Sequence, residues 1–220
     1  MSFPNRPEVT EATKKCLLRK GISYTEDALL AVLHDGTDRY AVYWATIGLR
    51  DVGTVRSVPA LQNMLHYPMQ AVKDSSILII AHLAGPAATE FYVTALRDKR
   101  TRKLYPMWAI RVAADDRALP AVLEYVDRML KLLERPTSRY PGDSCLHGIE
   151  YLARFSGDDP RIPALFARVR GVWSRLPRRA QKRLAASVPI LACGLTDAAP
   201  DVGFRTTFAD TLIGAAISRT

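Results

Sequence analysis

The residues with the clearest binding chemistry in this sequence form a basic stretch between positions 161 and 183. It holds eight basic residues and no acidic residue. Arg161, Arg168 and Arg175 are seven residues apart, a spacing that places them on nearly one side of a continuous helix. Such a row suits phosphate groups, whose contacts with arginine make binding fall with salt. The candidate residues for phosphate or an acidic partner are Arg161, Arg168, Arg175, Arg178, Arg179, Lys182 and Arg183.

The simpler interpretation of this stretch is a solvated face that keeps the protein soluble. A second basic cluster at residues 97–103 strengthens the case for an acidic partner, and its candidate residues are Arg100, Arg102 and Lys103. The formal net charge of +9 and the pI of about 9.7 favour nucleic acid, an anionic membrane surface or an acidic protein as partner. Both interpretations of the basic stretch remain open at this point.

Residue types that often carry catalysis occur here without the required spacing. Cys145 and His147 are two residues apart, so in a helix their side chains point about 200° apart and cannot form a nucleophile–base pair. The four histidines lack metal-ligand spacing, so we expect no metal and no cofactor. The pairs Asp115–Asp116 and Asp158–Asp159 stand at equivalent turns before a predicted helix, where an aspartate caps free N–H groups. Capping is therefore favoured over paired catalytic carboxylates. Thr25 can likewise cap a helix predicted to end at about His34.

Aromatic residues at equivalent positions favour packing over base stacking. Trp44 and Trp108 each begin the same recurring phrase, and this equivalence predicts that both indoles pack in the interior. A role in stacking on nucleic-acid bases is the alternative.

A recurring phrase predicts the elements that position these side chains. Each copy has an apolar-periodic stretch, a short turn with Asp or Gly, a proline, and a second apolar-periodic stretch. Each copy therefore predicts a helix, a turn and a helix. A hairpin of this kind cannot bury its apolar face alone, so neighbouring hairpins must stack. The copies run from Trp44 to Leu61, from Trp108 to Val122 and from Ile149 to Leu165.

The predicted fold class is all-α: an α-solenoid of stacked antiparallel helical hairpins, with about ten to twelve helices. We expect one continuous domain with a helical cap at each end, at residues 1–37 and 177–220. The repeats between the caps are predicted at residues 38–68, 69–98, 99–138 and 139–176. Within them the last helix is expected over residues 160–176, and a terminal helix is expected over residues 204–217.

Composition is that of a folded soluble protein. Of 220 residues, 48% are hydrophobic, which is too many for a disordered chain. Three cysteines, Cys16, Cys145 and Cys193, form no CxxC pair and suit a reducing compartment. No signal peptide is visible, and the apolar runs fall short of the roughly 20 residues that span a bilayer. We therefore expect a cytoplasmic protein without a membrane span.

The repeated phrase resembles HEAT repeats, including the short HEAT-like repeats found in many bacterial proteins. The resemblance rests on the small-residue first helix, the turn with Asp, and the Pro-Ala start of the second helix, over about residues 38–176. It implies a non-enzymatic scaffold that binds another macromolecule, with a protein as the first expectation for the partner. The scaffold would be an adaptor, an assembly factor or an inhibitor of immunity type.

Nucleic-acid binding through the arginine row is the alternative function. HEAT-like alkylpurine DNA glycosylases have similar length, and Trp108 and Arg111 faintly resemble their helices that bear Trp and Arg. Those enzymes project aromatic residues and an Asp from the concave face, whereas Trp108 falls on the packing face and Asp115 at a turn. No catalytic role is therefore carried over to this chain.

Overall fold

The computed structural model describes residues 7–135, 140 and 142–192, and every regular element in these ranges is helical. It contains twelve α-helical segments, of which all but the last have six or more residues. The all-α prediction is therefore confirmed, while the helix expected over residues 204–217 lies outside the described residues. The described residues divide into two compact units, one within Met1–Leu83 and one within Ala84–Ala199.

The first unit is built around helix α3. Its helices are α1 (Pro7–Leu18), α2 (Glu26–Asp35), α3 (Arg39–Val52), α4 (Val58–Asn63) and α5 (Gln70–Ala84), whose last residue begins the second unit. Helix α3 packs against α1 and α2, and α2 also packs against α4. Capping is as predicted at Thr25, whose hydroxyl accepts from the N–H of Ala28 at 3.4 Å. Glu26 then joins α2 to the next hairpin by accepting from the N–H of Thr54 at 2.8 Å.

The second unit has α9 at its centre. Its helices are α6 (Thr89–Arg97), α7 (Leu104–Ala113), α8 (Leu119–Leu133), α9 (Asp143–Ala153), α10 (Arg161–Gly171), α11 (Arg178–Ser187) and α12 (Pro189–Ala192). Helix α9 packs against α7, α8 and α11, α7 also against α6, and α10 against α8 and α12. Every residue from Ser144 to Leu152 is buried. A helix buried on all sides is stable only when its polar groups find partners within the protein.

Helices α4 and α8 begin in the same way. Short 3-10 turns at Val55–Ser57 and Asp116–Ala118 lead into α4 and α8, where a proline occupies an early position. The predicted cap at Asp115 is confirmed, because its carboxylate accepts from the N–H of Arg117 at 3.2 Å. The cap at Asp159 is confirmed in the same way, with the N–H of Arg161 at 2.9 Å.

Two details differ from the sequence-based prediction. The helix expected over residues 160–176 ends at Gly171, and a 3-10 turn at Trp173–Arg175 follows it. The apolar pattern continues past Gly171 because Val172, Trp173 and Leu176 are buried without being α-helical. Trp44 and Trp108 are half-buried and not part of the fully buried core, so the prediction of interior packing holds only in part.

One helical run in the described part of the chain has the length and composition of a membrane span. It extends over Gln70–Arg97, and its most apolar 18-residue window has a mean hydropathy of 1.3. A 3-10 turn at Gly85–Ala88 interrupts it, and 44% of its most apolar window is buried inside the protein. Core helices of soluble proteins have the same properties, so a single run of this kind is weak evidence for a membrane segment.

Close packing of α9 against α8 requires the glycine at position 148, and Gly148→Ala tests this. A Cβ built at Gly148 would lie 2.6 Å from Cγ2 of Val126, a stiff and fully buried side chain. Overpacking costs about 1–3 kcal/mol, and alanine regains about 1 kcal/mol of helix propensity. We expect urea unfolding to show a net loss of up to about 2 kcal/mol in unfolding free energy.

Gly171→Ala is the matched control for this substitution. Gly171 ends α10 and has open space within 4 Å of its Cβ position. We expect it to leave the unfolding free energy unchanged or slightly raised. Equal stabilities for the two variants would contradict the close approach of α8 and α9.

Candidate functional site

The predicted arginine row does not lie on one helix. Because α10 ends at Gly171, Arg175 belongs to the following 3-10 turn while Arg161 and Arg168 lie on α10. The expectation that these arginines project from one side of a continuous helix is therefore wrong. Each has instead its own contacts within the protein.

Arg168 and Arg175 both bind the C-terminal end of α8. Arg168 donates from Nε and Nη2 to the two carboxylate oxygens of Glu134, at 2.7 and 3.1 Å, and from Nη1 to Asp127 at 2.6 Å. Arg175 donates to the main-chain oxygens of Leu133 and Glu134, at 2.8 and 3.0 Å. Cations at a helix C-terminus satisfy free carbonyl groups and the helix dipole. These two arginines therefore hold the helices that follow α9 against α8.

Arg161 occupies a position that recurs in the repeats, two residues after the capping residue. Its guanidinium pairs with the carboxylate of Asp159 at 2.6 Å, and Arg117 pairs with Asp115 at 2.8 Å in the same geometry. Arg56 has the equivalent place and pairs with carboxylates of α2. Sequence reasoning missed this recurrence, although the spacing from cap to arginine is visible in each copy.

Arg183 belongs to a buried ionic cluster formed by α7, α9 and α11. It binds both carboxylate oxygens of Glu150 at 2.7 Å each, and its Nη2 lies 2.6 Å from Nδ1 of His147. Ser187 donates to the same carboxylate at 3.0 Å, and Nε of Arg111 approaches it at 3.4 Å. Burial alone would raise the pKa of Glu150, but its contacts with His147 and Arg183 and the charge of Arg111 lower it to about 2.

The imidazole in this cluster is neutral. An arginine guanidinium can only donate, so Nδ1 of His147 accepts from Arg183. Burial lowers the pKa of His147 to about 4, against an opposing contribution from Glu150. Nearby, burial raises the pKa of the Cys145 thiol to about 12, so this cysteine remains protonated at neutral pH. The thiol and the imidazole thus have separate environments, as their spacing predicts.

The remaining candidate residues of the basic stretch lie on the exposed face of α11. Arg178 and Lys182 are exposed and form no ion pair with a residue that the structure describes, while Arg179 approaches Asp143 at 3.4 Å. Most of the predicted row is therefore engaged within the protein, and only this face of α11 is left for a partner.

The second basic cluster lines a groove, which we call the basic groove. It lies between the C-terminal end of α6, the loop at residues 98–103 and α8, and has a volume of about 260 Å³. Its charged lining consists of Arg97, Lys99, Lys103, Arg128 and a single acid, Glu124. Lys103 was a candidate from sequence. Arg100 and Arg102, the other two candidates of this cluster, are exposed on the same loop outside the lining.

Asp98 organises the loop that carries these side chains. Its carboxylate accepts from the N–H of Arg100 at 3.0 Å and from the hydroxyl of Thr101 at 2.7 Å. These hydrogen bonds lower the pKa of Asp98, and the bond from the N–H of Arg100 contributes most. Lys103 donates from Nζ to the main-chain oxygen of Asp98, and burial lowers its pKa. The loop therefore has a defined shape, in which Lys103 is anchored beside the groove.

Arg128 is the groove residue that sequence reasoning missed. It comes from α8, and its guanidinium lies 5.5 Å from the ring centre of Tyr125. That ring is fixed in turn, because its hydroxyl donates to Ser144 at 2.8 Å. No local pattern joins position 128 to residues 97–103, because their proximity follows from the tertiary packing of the second unit.

Neither metal-ligand geometry nor comparison with known proteins points to a second candidate site in the described part of the chain. Across the described ranges, no three His, Cys, Asp or Glu side chains come close enough together to hold a metal ion. No family model, no curated protein and no solved structure matches the chain. The basic groove is therefore the candidate site, and its chemistry is that of anion binding.

The ion pairs of Arg168 at the C-terminal end of α8 generate a stability prediction. Arg168→Glu places a third carboxylate beside Asp127 and Glu134. We expect it to lower the free energy of unfolding by about 1–3 kcal/mol, because attraction is replaced by repulsion at a half-buried position. Arg178→Glu, with the same charge change on exposed α11, should cost under about 0.5 kcal/mol. Equal losses of unfolding free energy for the two variants in chemical denaturation would contradict a stabilising role of these ion pairs.

The buried cluster generates a pH prediction. The pKa of His147 is lower in the folded protein than its ordinary 6.5, so the unfolded chain binds more protons between pH 6.5 and about 4. Unfolding free energy should therefore fall as the pH falls through this range, by on the order of 2 kcal/mol. The lowered pKa of Glu150 extends the loss from its ordinary 4.5 towards about 2.

His147→Gln removes the first part of this acid loss. Glutamine retains an acceptor for Arg183 but does not titrate. We expect its unfolding free energy, relative to its own value at pH 7, to decline less between pH 6.5 and 4 than that of the wild type. Identical profiles for the two proteins in urea titrations would show that His147 is not a neutral buried group.

Proposed function

We propose that this protein is a non-enzymatic, HEAT-like helical-repeat scaffold that binds an anionic macromolecule. The proposed architecture of the protein is a short α-solenoid. Its support is the packing order within each unit, in which most helices contact the helix two places further along. In the second unit α7 packs against α9, α9 against α11, α8 against α10, and α10 against α12. In the first unit α1 packs against α3, and α2 against α4.

Hydrogen bonds between successive hairpins support the same architecture. Glu26 at the start of α2 accepts from Thr54, which caps the next hairpin. Thr89 at the start of α6 accepts from the N–H of Asp115, again the cap of the next hairpin, at 3.3 Å. Recurrence of one contact at equivalent places is expected of stacked repeats, in which each unit contacts its neighbours.

The binding role rests on one observation, which is the basic groove. Four basic side chains surround one acid there, on a protein whose formal net charge is +9. Buried thiol and imidazole groups lie elsewhere and are fixed by structural contacts. A scaffold with this charge attracts acidic partners over distances comparable to the Debye length.

Binding to labelled polyanions tests the proposed function. The full chain is titrated by fluorescence anisotropy against poly-glutamate and against a short DNA duplex, at about 50 and 200 mM salt. We expect at least one polyanion to bind with an affinity that falls with salt. Labelled poly-lysine is the control and should not bind. Absence of binding to both polyanions at the lower salt would contradict the proposal.

A further inference from the structure

We infer that the basic groove binds the phosphodiester backbone of a nucleic acid. This inference rests on the proposed function and names the partner of the same site. It also places the contact away from the arginine row at residues 161–183. Exposed charge, fixed geometry, the burial of the apolar side chains in the lining and charge that extends beyond the groove all support it.

Three of the four basic side chains of the groove face solvent and form no ion pair within the described residues. Arg97, Lys99 and Arg128 are exposed and form no ion pair with any described residue. In contrast, Arg168 and Arg183 are each bound to carboxylates. A phosphate entering the groove therefore finds guanidinium and ammonium donors without first breaking an internal ion pair. Such charge-assisted bonds are among the strongest that proteins form.

Two of the donors are positioned before a ligand arrives. Lys103 is held by the main-chain oxygen of Asp98, and Arg128 lies over the ring of Tyr125. Tyr125 is fixed by Ser144, and Asp98 fixes its own loop through Thr101. Because these side chains are already ordered, binding costs less conformational entropy than it would with free lysines and arginines.

The apolar side chains of the lining are buried. Leu96, Ala121 and Tyr125 are only 3%, 5% and 4% exposed. A protein interface needs an apolar core inside a polar rim, and these three side chains are too buried to supply that core. Interfaces with nucleic acid are more polar and more positive. Geometry thus favours nucleic acid, although the sequence alone favours a protein.

Charge also continues past the groove, as a polymeric partner requires. Arg100 is exposed on the same loop, beyond the residues that line the groove. A volume of about 260 Å³ lies below the range of roughly 300–1,000 Å³ typical of sites that enclose small organic ligands. A row of phosphates passing across the groove uses both the lining and this flanking arginine, and a single small anion does not.

The test compares two double substitutions that remove the same charge. Arg97→Gln with Arg128→Gln removes two positive charges from the groove, and Arg178→Gln with Lys182→Gln removes two from the exposed face of α11. Binding of a labelled DNA duplex is measured by anisotropy over a series of salt concentrations. We expect the groove variant to raise Kd on the order of tenfold and to reduce the salt slope by about 2. The α11 variant should retain the Kd and the salt slope of the wild type.

A single substitution guards against an effect of misfolding. Lys99 is exposed and makes no described contact, so Lys99→Gln leaves the fold unchanged and should reduce the salt slope by about 1. Thermal melting of all variants verifies that they are folded. Full retention of affinity and slope in Lys99→Gln and in the groove variant would overturn the inference.

The remaining outcomes separate the inference from the proposed function. Equal losses in the groove and α11 variants would overturn the inference, because binding would then follow net charge alone. Binding of poly-glutamate without binding of DNA would also overturn it, and would leave a scaffold for an acidic protein. Failure of the wild type to bind either polyanion would overturn both.

Discussion

The second unit depends on how the polar side chains of its buried central helix are satisfied. Helix α9 is enclosed by α7, α8 and α11, yet it carries Ser144, His147 and Glu150. A buried carboxylate without a partner would cost several kcal/mol, so the position of Arg183 on α11 is constrained. The hydroxyl of Ser144 likewise accepts a hydrogen bond from the hydroxyl of Tyr125 on α8. Each polar residue of α9 thereby ties it to a specific neighbour.

The same requirement divides the basic residues into two groups. Arg168, Arg175 and Arg183 neutralise carboxylates or helix ends on neighbouring hairpins. These partners largely compensate their positive charge, and the role of the three arginines is to stabilise the fold. The lining of the basic groove is not compensated in this way, because Glu124 is its only acid. Net charge alone does not distinguish the two groups, since every member contributes equally to it.

Local features of the fold were predictable from sequence, and distant pairings were not. Thr25, Asp115 and Asp159 were predicted as caps because a cap bonds to residues two or three places away. Partners of Arg168 lie 34 and 41 residues away on α8, so only the packed structure identifies them. The end of α10 at Gly171 was missed because burial of Trp173 continues the apolar pattern beyond the helix.

Nuclear magnetic resonance of arginine side chains tests the division of the basic residues most directly. The Nε–H resonances of the full-length protein are recorded during titration with a short DNA duplex. The account predicts that signals of Arg97 and Arg128 shift, while those of Arg168 and Arg183 do not move. The opposite pattern, with shifts at Arg168 and Arg183 and none in the basic groove, would contradict it.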